Sequence, residues 1–184
     1  MTTLEPKQLT NDDLVAAIAA ATQDVFSIML GLAPVTGAAY SENSAGTESG
    51  VLALVGVAGA WMGTGSVSCT PAMACKLAGQ MLMSEYEGVN DEVLDAIAEV
   101  ANMIIGNIKT ALEQQVGNMA LSTPTVIYGR NFETRRVGSQ EWISVPFECD
   151  GETLHVQLCL APSPARDDSR GLRPGFSLGH MVQI

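Results

Sequence analysis

A chain of 184 residues, 47% hydrophobic and 16% charged, suits one domain of ordinary size with a substantial apolar core. Its 20 acidic and 9 basic residues leave a formal net charge of −11, so no Lys/Arg stripe exists to displace phosphate counterions, which argues against nucleic acid and against an anionic membrane surface. The N-terminus, MTTLEPKQLTNDD, lacks a basic n-region and an apolar h-region, Asp24 interrupts the apolar stretch from Leu14 to Val35, and Val51 to Met62 is too short to cross a bilayer, so the chain reads as a soluble cytoplasmic protein.

Thr10-Asn11-Asp12-Asp13 is a helix start, with capping residues followed by acids that suit the positive end of the dipole. The helix is expected to run to about Leu30, with Gly31 as its stop and Pro34 just beyond. Val35 to Tyr40 is a short strand and the polar SENSAGTESG run, Ser41 to Gly50, a loop. Val51 to Val57 does not alternate and so reads as a strand buried on both faces. Gly59 to Gly63 holds turn residues, with Trp61 and Met62 capping the core, and Thr64 to Cys69 is the return strand of a hairpin. Pro71 opens a second helix carrying Ala74, Leu77, Ala78, Met81 and Leu82 at helical spacing, in which Met73, Met81 and Met83 are core filler.

The stretch Asn90 to Leu112, NDEVLDAIAEVANMIIGNIKTAL, is a helix with two unlike faces. At about 100° per residue, Asp95, Glu99, Asn102 and Gly106 fall within roughly 60° of one another, and Leu94, Ile97, Ala101, Ile104 and Ile108 cluster opposite. A loop near Gly117-Asn118 follows, then a strand from Ser122 to Tyr128 in which Pro124, unable to donate to a ladder, marks an edge or a strand start. Gly129 to Ser139 is a polar loop whose Arg130, Arg135 and Arg136 are solvated. Asp150-Gly151 joins Glu141–Cys149 to Glu152–Leu160 as a tight hairpin, setting Cys149 opposite Glu152 and Trp142 opposite Cys159, with His155 an exposed strand residue. The segment from Pro162 onward has no periodicity and reads as an irregular tail. Cys69, Cys75, Cys149 and Cys159 show no CxxC spacing, so buried free thiols are expected and a metal site is not.

Asp12–Leu30 aligns without a gap on Asp91–Lys109, and each helix is followed by strand-rich sequence. Where the second helix has Asp95, Glu99, Asn102 and Gly106, the first has Ala16, Ala20, Gln23 and Ser27. The expected fold is therefore α+β, a pseudo-two-fold repeat whose long helices pack on a shared, mostly antiparallel sheet. It comprises residues 1–161, as two similar halves (about 10–85 and 88–161), with 162–184 as the tail. One half carries the polar row and the other is blank.

Carboxylates on an outer helix face satisfy solvation and need no further role. As chemistry, an Asn amide orients water and barely acts as a base, a Glu pairs with a partner's Lys or Arg, and a Gly lets another surface approach. No nucleophile sits beside the row and no P-loop Lys-Ser/Thr follows the glycines of GVAGAWMGTG, which leaves positioning of a water against an electrophile that a partner brings. The spacing Asp95-x3-Glu99-x2-Asn102, with 21 residues between Asn102 and Pro124, resembles the signature of the CheC/CheX/FliY phosphatases of bacterial chemotaxis, and the single intact copy points to the CheX-like branch. The resemblance covers roughly Asp12 to Leu160 and implies a phosphatase acting on a phosphorylated CheY-like response regulator. On that basis Glu99 contacts the regulator's active-site Lys and Asn102 positions the attacking water, with Asp95, Gly106 and Pro124 shaping the contact. The protein needs no cofactor of its own, Mg²⁺ residing in the regulator, and pairs as a homodimer through sheet edges. Ala20, Gln23 and Ala45 depart from the motif in the first half, so no activity is expected there. The rival readings are a non-catalytic adaptor for a response regulator or flagellar-switch component, and a small-molecule module with a pocket between the halves.

Overall fold

The computed structural model describes residues 8–42, 49–132 and 141–164. Among these, three α-helices pack on an eight-stranded sheet in which every pairing is antiparallel, an α+β fold. Helix α1, Asn11–Asp24, starts in a capping box: Thr10 Oγ1 accepts from the Asp13 N–H at 3.2 Å, and the Asp13 carboxylate accepts from the Thr10 N–H at 3.0 Å. It runs on into a π-helical turn, Val25–Met29, and stops at Gly31, whose φ is +63°. Helix α2, Pro71–Leu82, has Thr70 as its cap and Pro71 in its first turn. Helix α3, Asp91–Val116, begins where Asn90 Oδ1 accepts the Val93 N–H at 3.0 Å and ends at Gly117.

Each helix of the repeat is followed by two short strands and a long hairpin. After α1 come β1 (Val35–Thr36), β2 (Tyr40–Glu42), β3 (Ser49–Gly59) and β4 (Trp61–Cys69); after α3 come β5 (Met119–Leu121), β6 (Thr125–Arg130), β7 (Trp142–Cys149) and β8 (Glu152–Pro162). The sheet order β1-β7-β8-β4-β3-β5 interlaces the two sets. β1 and β2 pair with β7, β5 and β6 pair with β3, and β4 meets β8 at the centre, where Val67 lies opposite Val156. The Asp150-Gly151 hairpin has Cys149 opposite Glu152, with both turn residues at positive φ (53° and 82°), as a type I′ turn requires.

Several local expectations shift. The strand expected over Val35–Tyr40 is two short pieces, and Ser41 already belongs to β2 while Ser49 and Gly50 belong to β3. Trp61 to Gly63 is strand rather than turn, because it pairs with Leu160 to Pro162 of β8, and Gly59 still belongs to β3, where a Cβ would lie 2.4 Å from the Asn118 carbonyl oxygen. β8 continues to Pro162 by pairing with Trp61, and Ser163 donates its N–H to the Ala60 carbonyl at 3.0 Å. Trp61 is buried, as a core cap should be, but Met62 is exposed. Met83 is no core filler: α2 ends one residue before it, and it sits at φ 50°, 92% exposed. His155 is only half-buried rather than fully exposed and bonds the Tyr40 hydroxyl at 3.2 Å. Arg135, Arg136, most of the expected Ser41–Gly50 loop and the tail from residue 165 lie outside the described residues. Among the described residues, no helix is long and apolar enough to cross a membrane.

The core forms where α3 lies on the sheet. Val93, Ile97, Val100, Ile104, Ile105, Ile108 and Leu112 are buried against Val51, Val55, Val67, Val145 and Val156. Contact is closest at Gly65 of β4, where a Cβ would stand 2.5 Å from Ile105 Cδ1. Gly65→Ala should therefore destabilise the fold by about 1–3 kcal/mol through overpacking. Ile105→Val removes the crowding methyl, so denaturant unfolding of the double variant should show a loss smaller than the sum of the two single losses. Strict additivity would mean that the helix does not rest on the strand here.

Candidate functional site

The polar row rides on the side of α3 that faces away from the sheet. Asp95 and Glu99 are exposed, while Asn102 and Gly106 are half-buried. At 1.5 Å per residue the four positions span about 16 Å along the axis, with Glu99 and Asn102 about 4.5 Å apart. No side-chain hydrogen bond or ion pair ties Asp95, Glu99 or Asn102 to any other described residue. Among the described residues the row's side chains are thus unused by the fold. An acceptor carboxylate and a neutral amide that both donates and accepts stand side by side, open to an incoming surface.

Gly106 occupies a helix interior, where glycine costs about 1 kcal/mol relative to alanine. Nothing among the described residues demands it, since a Cβ would meet only Leu121 Cδ1, at 3.9 Å, an ordinary contact. Leu121 ends β5, and Pro124 follows at the corner before β6, so Pro124 belongs to the Gly106 end of the row. Pro124 has no N–H to lose from the ladder and makes no hydrogen bond to Glu99 or Asn102. Its neighbour Ser122 fixes the corner: Ser122 Oγ accepts from the Gly56 N–H and the Ser122 N–H donates to the Gly56 carbonyl, each at 2.9 Å.

One supporting device was not singled out in the sequence, although its i,i+4 signal was present. At the end of α3, Lys109 Nζ donates to Glu113 Oε2 at 2.9 Å, and Glu113 Oε1 accepts the Met119 N–H at 2.7 Å. This clasp turns the chain from α3 into β5 and so sets the corner that carries Pro124.

In the first half, Ala16, Ala20, Gln23 and Ser27 are likewise exposed, but the amide there is engaged: Gln23 Nε2 donates to Thr36 Oγ1 at 3.0 Å. Cys69 and Cys75 are held as thiols, and Cys149 and Cys159 are buried. Burial pushes the Cys69 thiol up to about 12 and also raises that of Cys75. Among the described residues no group of three or more His, Cys, Asp or Glu side chains is placed to hold a metal ion.

Against this geometry, residues 51–148 match the family model described as chemotaxis phosphatase CheX, a span that contains the whole row and Pro124. The CheY-P phosphatase CheX of Thermotoga maritima is 25% identical over 126 residues, which cover 68% of this chain and 81% of that protein. A chemotaxis protein CheX from Desulfovibrio desulfuricans superposes with a TM-score of 0.74 at 29% identity, over 81% of this chain and 99% of that one. A chain of the CheX–CheY–BeF3–Mg²⁺ complex from Borrelia burgdorferi superposes with a TM-score of 0.68 at 25% identity, over 80% and 97% respectively.

The clasp gives the site's support a pH signature. The Met119 N–H first, and then Lys109, hold the Glu113 carboxyl below its usual range. A depressed folded pKa contributes stability that is present above the unfolded value of about 4.3 and is lost as pH falls through the folded value. Glu113→Gln should therefore lower the thermal midpoint at pH 7, and the gap from the parent should close as pH drops below about 4. A gap that stays constant across that window would remove the clasp as its cause.

Proposed function

The chain belongs to the chemotaxis phosphatase CheX family, and we propose that it dephosphorylates a phosphorylated CheY-like response regulator through Glu99 and Asn102. The observation that carries this reading is that an exposed carboxylate and a neighbouring amide on a rigid, well-packed helix have no side-chain partner among the described residues. Glu99 forms a charge-assisted hydrogen bond with the regulator's active-site Lys, which orients α3 over the phosphorylation site. Asn102 enters that site and holds one water in line with the aspartyl phosphate. The water oxygen attacks phosphorus, the bond to the aspartyl oxygen breaks, and a free carboxylate and inorganic phosphate result, with the water's protons leaving on phosphate or to solvent. The developing charge is met by Mg²⁺ bound in the regulator, so this protein's part is positioning and needs no cofactor of its own.

Asp95 extends the acidic strip, and Gly106 and Pro124 keep the far end of the row low enough for the regulator to approach. The sheet edges, β1 with β2 and β5 with β6, are the surfaces through which two copies are proposed to pair; sedimentation of the purified protein reads that state. Residence in the cytoplasm belongs to the same proposal, since a response regulator is its partner.

The decisive assay follows loss of phosphate from an acetyl-phosphate-charged regulator. Asn102→Ala should lower kcat by about 100-fold with binding intact, as expected for a mispositioned water. Glu99→Gln should weaken binding and turnover together, by the roughly 1.5–3 kcal/mol of a charged hydrogen bond. Full activity in Asn102→Ala would remove the water-positioning role, and binding without any acceleration by the parent protein would make it an adaptor instead. Gly106 separates fold from function: Gly106→Ala should stabilise the protein by about 0.5–1 kcal/mol, whereas Gly106→Leu should fold and yet raise KM. An unchanged KM in Gly106→Leu would mean that no surface comes close there.

A further inference from the structure

The surface beside Glu99 is not flat. The end of α2, the connection that follows it and the first turns of α3 enclose a groove of about 490 Å³, with Leu82 and Tyr86 on one wall and Glu92, Asp95 and Glu99 on the other. Glu99 belongs both to this groove and to the catalytic row. Leu82 is 44% exposed and Met81 lines the groove beside it, so an apolar ledge faces a wall of three carboxylates.

The ledge is fixed in place. Met83 holds a left-handed backbone, an uncommon conformation for a residue with a side chain, and the Ser84 N–H closes onto the Gly79 carbonyl at 3.2 Å. Gly79 permits that closure, because a Cβ there would sit 2.9 Å from the Ser84 carbonyl oxygen. Tyr86 Oη donates to Glu92 Oε2 at 2.9 Å and straps the connection to α3. A preformed groove of this kind loses little freedom on binding.

We propose that this groove is the docking site by which the regulator is selected, and that it seats an apolar side chain flanked by Lys or Arg on the regulator's surface beside its phosphorylation site. The inference rests on the phosphatase reading for the identity of the occupant. Two arguments favour that occupant. A standard interface buries about 800 Å² per partner, a disc of roughly 16 Å radius, and the lining from Glu92 to Glu99 extends only about 10 Å along α3, so a regulator presented to Asn102 also covers the groove. The wall's carboxylates and the chain's net charge of −11 select a basic surface and speed its encounter. Choice of partner and chemistry are then divided: the groove sets KM, and Asn102 sets kcat.

The test uses the CheY-type regulators of the same organism, charged with acetyl phosphate for turnover and with beryllofluoride for calorimetric binding. Leu82→Lys, which puts a positive charge before the basic partner, should raise KM and Kd at least tenfold and leave kcat within twofold. Leu82→Met should restore both constants, and Ile28→Lys, at a 76% exposed position beyond the end of α1, should change neither. Thermal midpoints of the variants should match the parent, since the residue changed is largely on the surface. If KM and Kd are unchanged in Leu82→Lys while the parent dephosphorylates its regulator, the groove is overturned and the phosphatase reading stands. If the parent binds without dephosphorylating, that reading falls and the effect of Leu82→Lys on Kd alone decides for or against the groove. If the parent binds no regulator, both are overturned.

Discussion

The seating of α3 on the sheet at Gly65 is the contact on which the rest depends. Ile105 occupies the space that a β-carbon at residue 65 would take, and the buried face from Val93 to Val116 runs the length of the helix. Each fully buried Ile or Leu there is worth on the order of 1.5–3 kcal/mol, so the apolar face alone fixes the rotation of the helix about its axis. Once that rotation is fixed, Asp95, Glu99, Asn102 and Gly106 face outward, and the side chains of Asp95, Glu99 and Asn102 make no hydrogen bond to another described residue. The site's precision comes from hydrocarbon packing on the far side of the same helix.

The interlaced strands make that seating cooperative. β1 and β2 leave the first half to pair with β7, and β5 and β6 leave the second to pair with β3, so neither half completes its sheet alone. Ser66 Oγ donates to Gln157 Oε1 at 3.0 Å and Gln157 Nε2 to Ser144 Oγ at 3.4 Å, a buried polar link that joins β4 to β8 and β7 across the midline. The two long helices consequently share one rigid platform, although among the described residues Asn102 has no side-chain partner and Gln23 has one. Gln23 is longer than Asn102 by one methylene and spends its amide on Thr36, within its own half. The same scaffold thus offers one polar end group to solvent and ties the other down.

Most of this was legible locally. The 3.6-residue period of α3, its Asn90 cap, the both-face burial of β3 and the Asp150-Gly151 turn are all short-range signals, and the outward face of the row follows from helical arithmetic alone. The comparison of the two helices identified which residues the scaffold does not need. What escaped was long-range or against type. No local pattern tells β5 and β6 to pair with a strand about sixty to eighty residues earlier, because register is settled by which faces are buried after the halves meet. Met83 looked like core because its spacing continued the periodicity of α2, but the helix ends at Leu82 with a non-glycine residue in the left-handed region, which sequence seldom announces. The Lys109–Glu113 pair was visible, but its second task, catching the Met119 N–H, depends on a turn that only the folded chain supplies.

The distribution of polarity also explains why this surface suits positioning rather than covalent work. A nucleophile or general base needs a shifted pKa, which in turn needs burial or a close charge. Burial shifts the Cys69 and Cys75 thiols toward inertness, whereas Asp95 and Glu99 on α3 stand in water. Groups in that state contribute little until another surface excludes the solvent around them, and then a carboxylate–lysine pair and an amide-held water both strengthen. The helix is therefore half of a site. Under the proposed function its environment is completed by whatever closes over Glu99 and Asn102, so rigidity of the helix matters more than any intrinsic reactivity of its side chains.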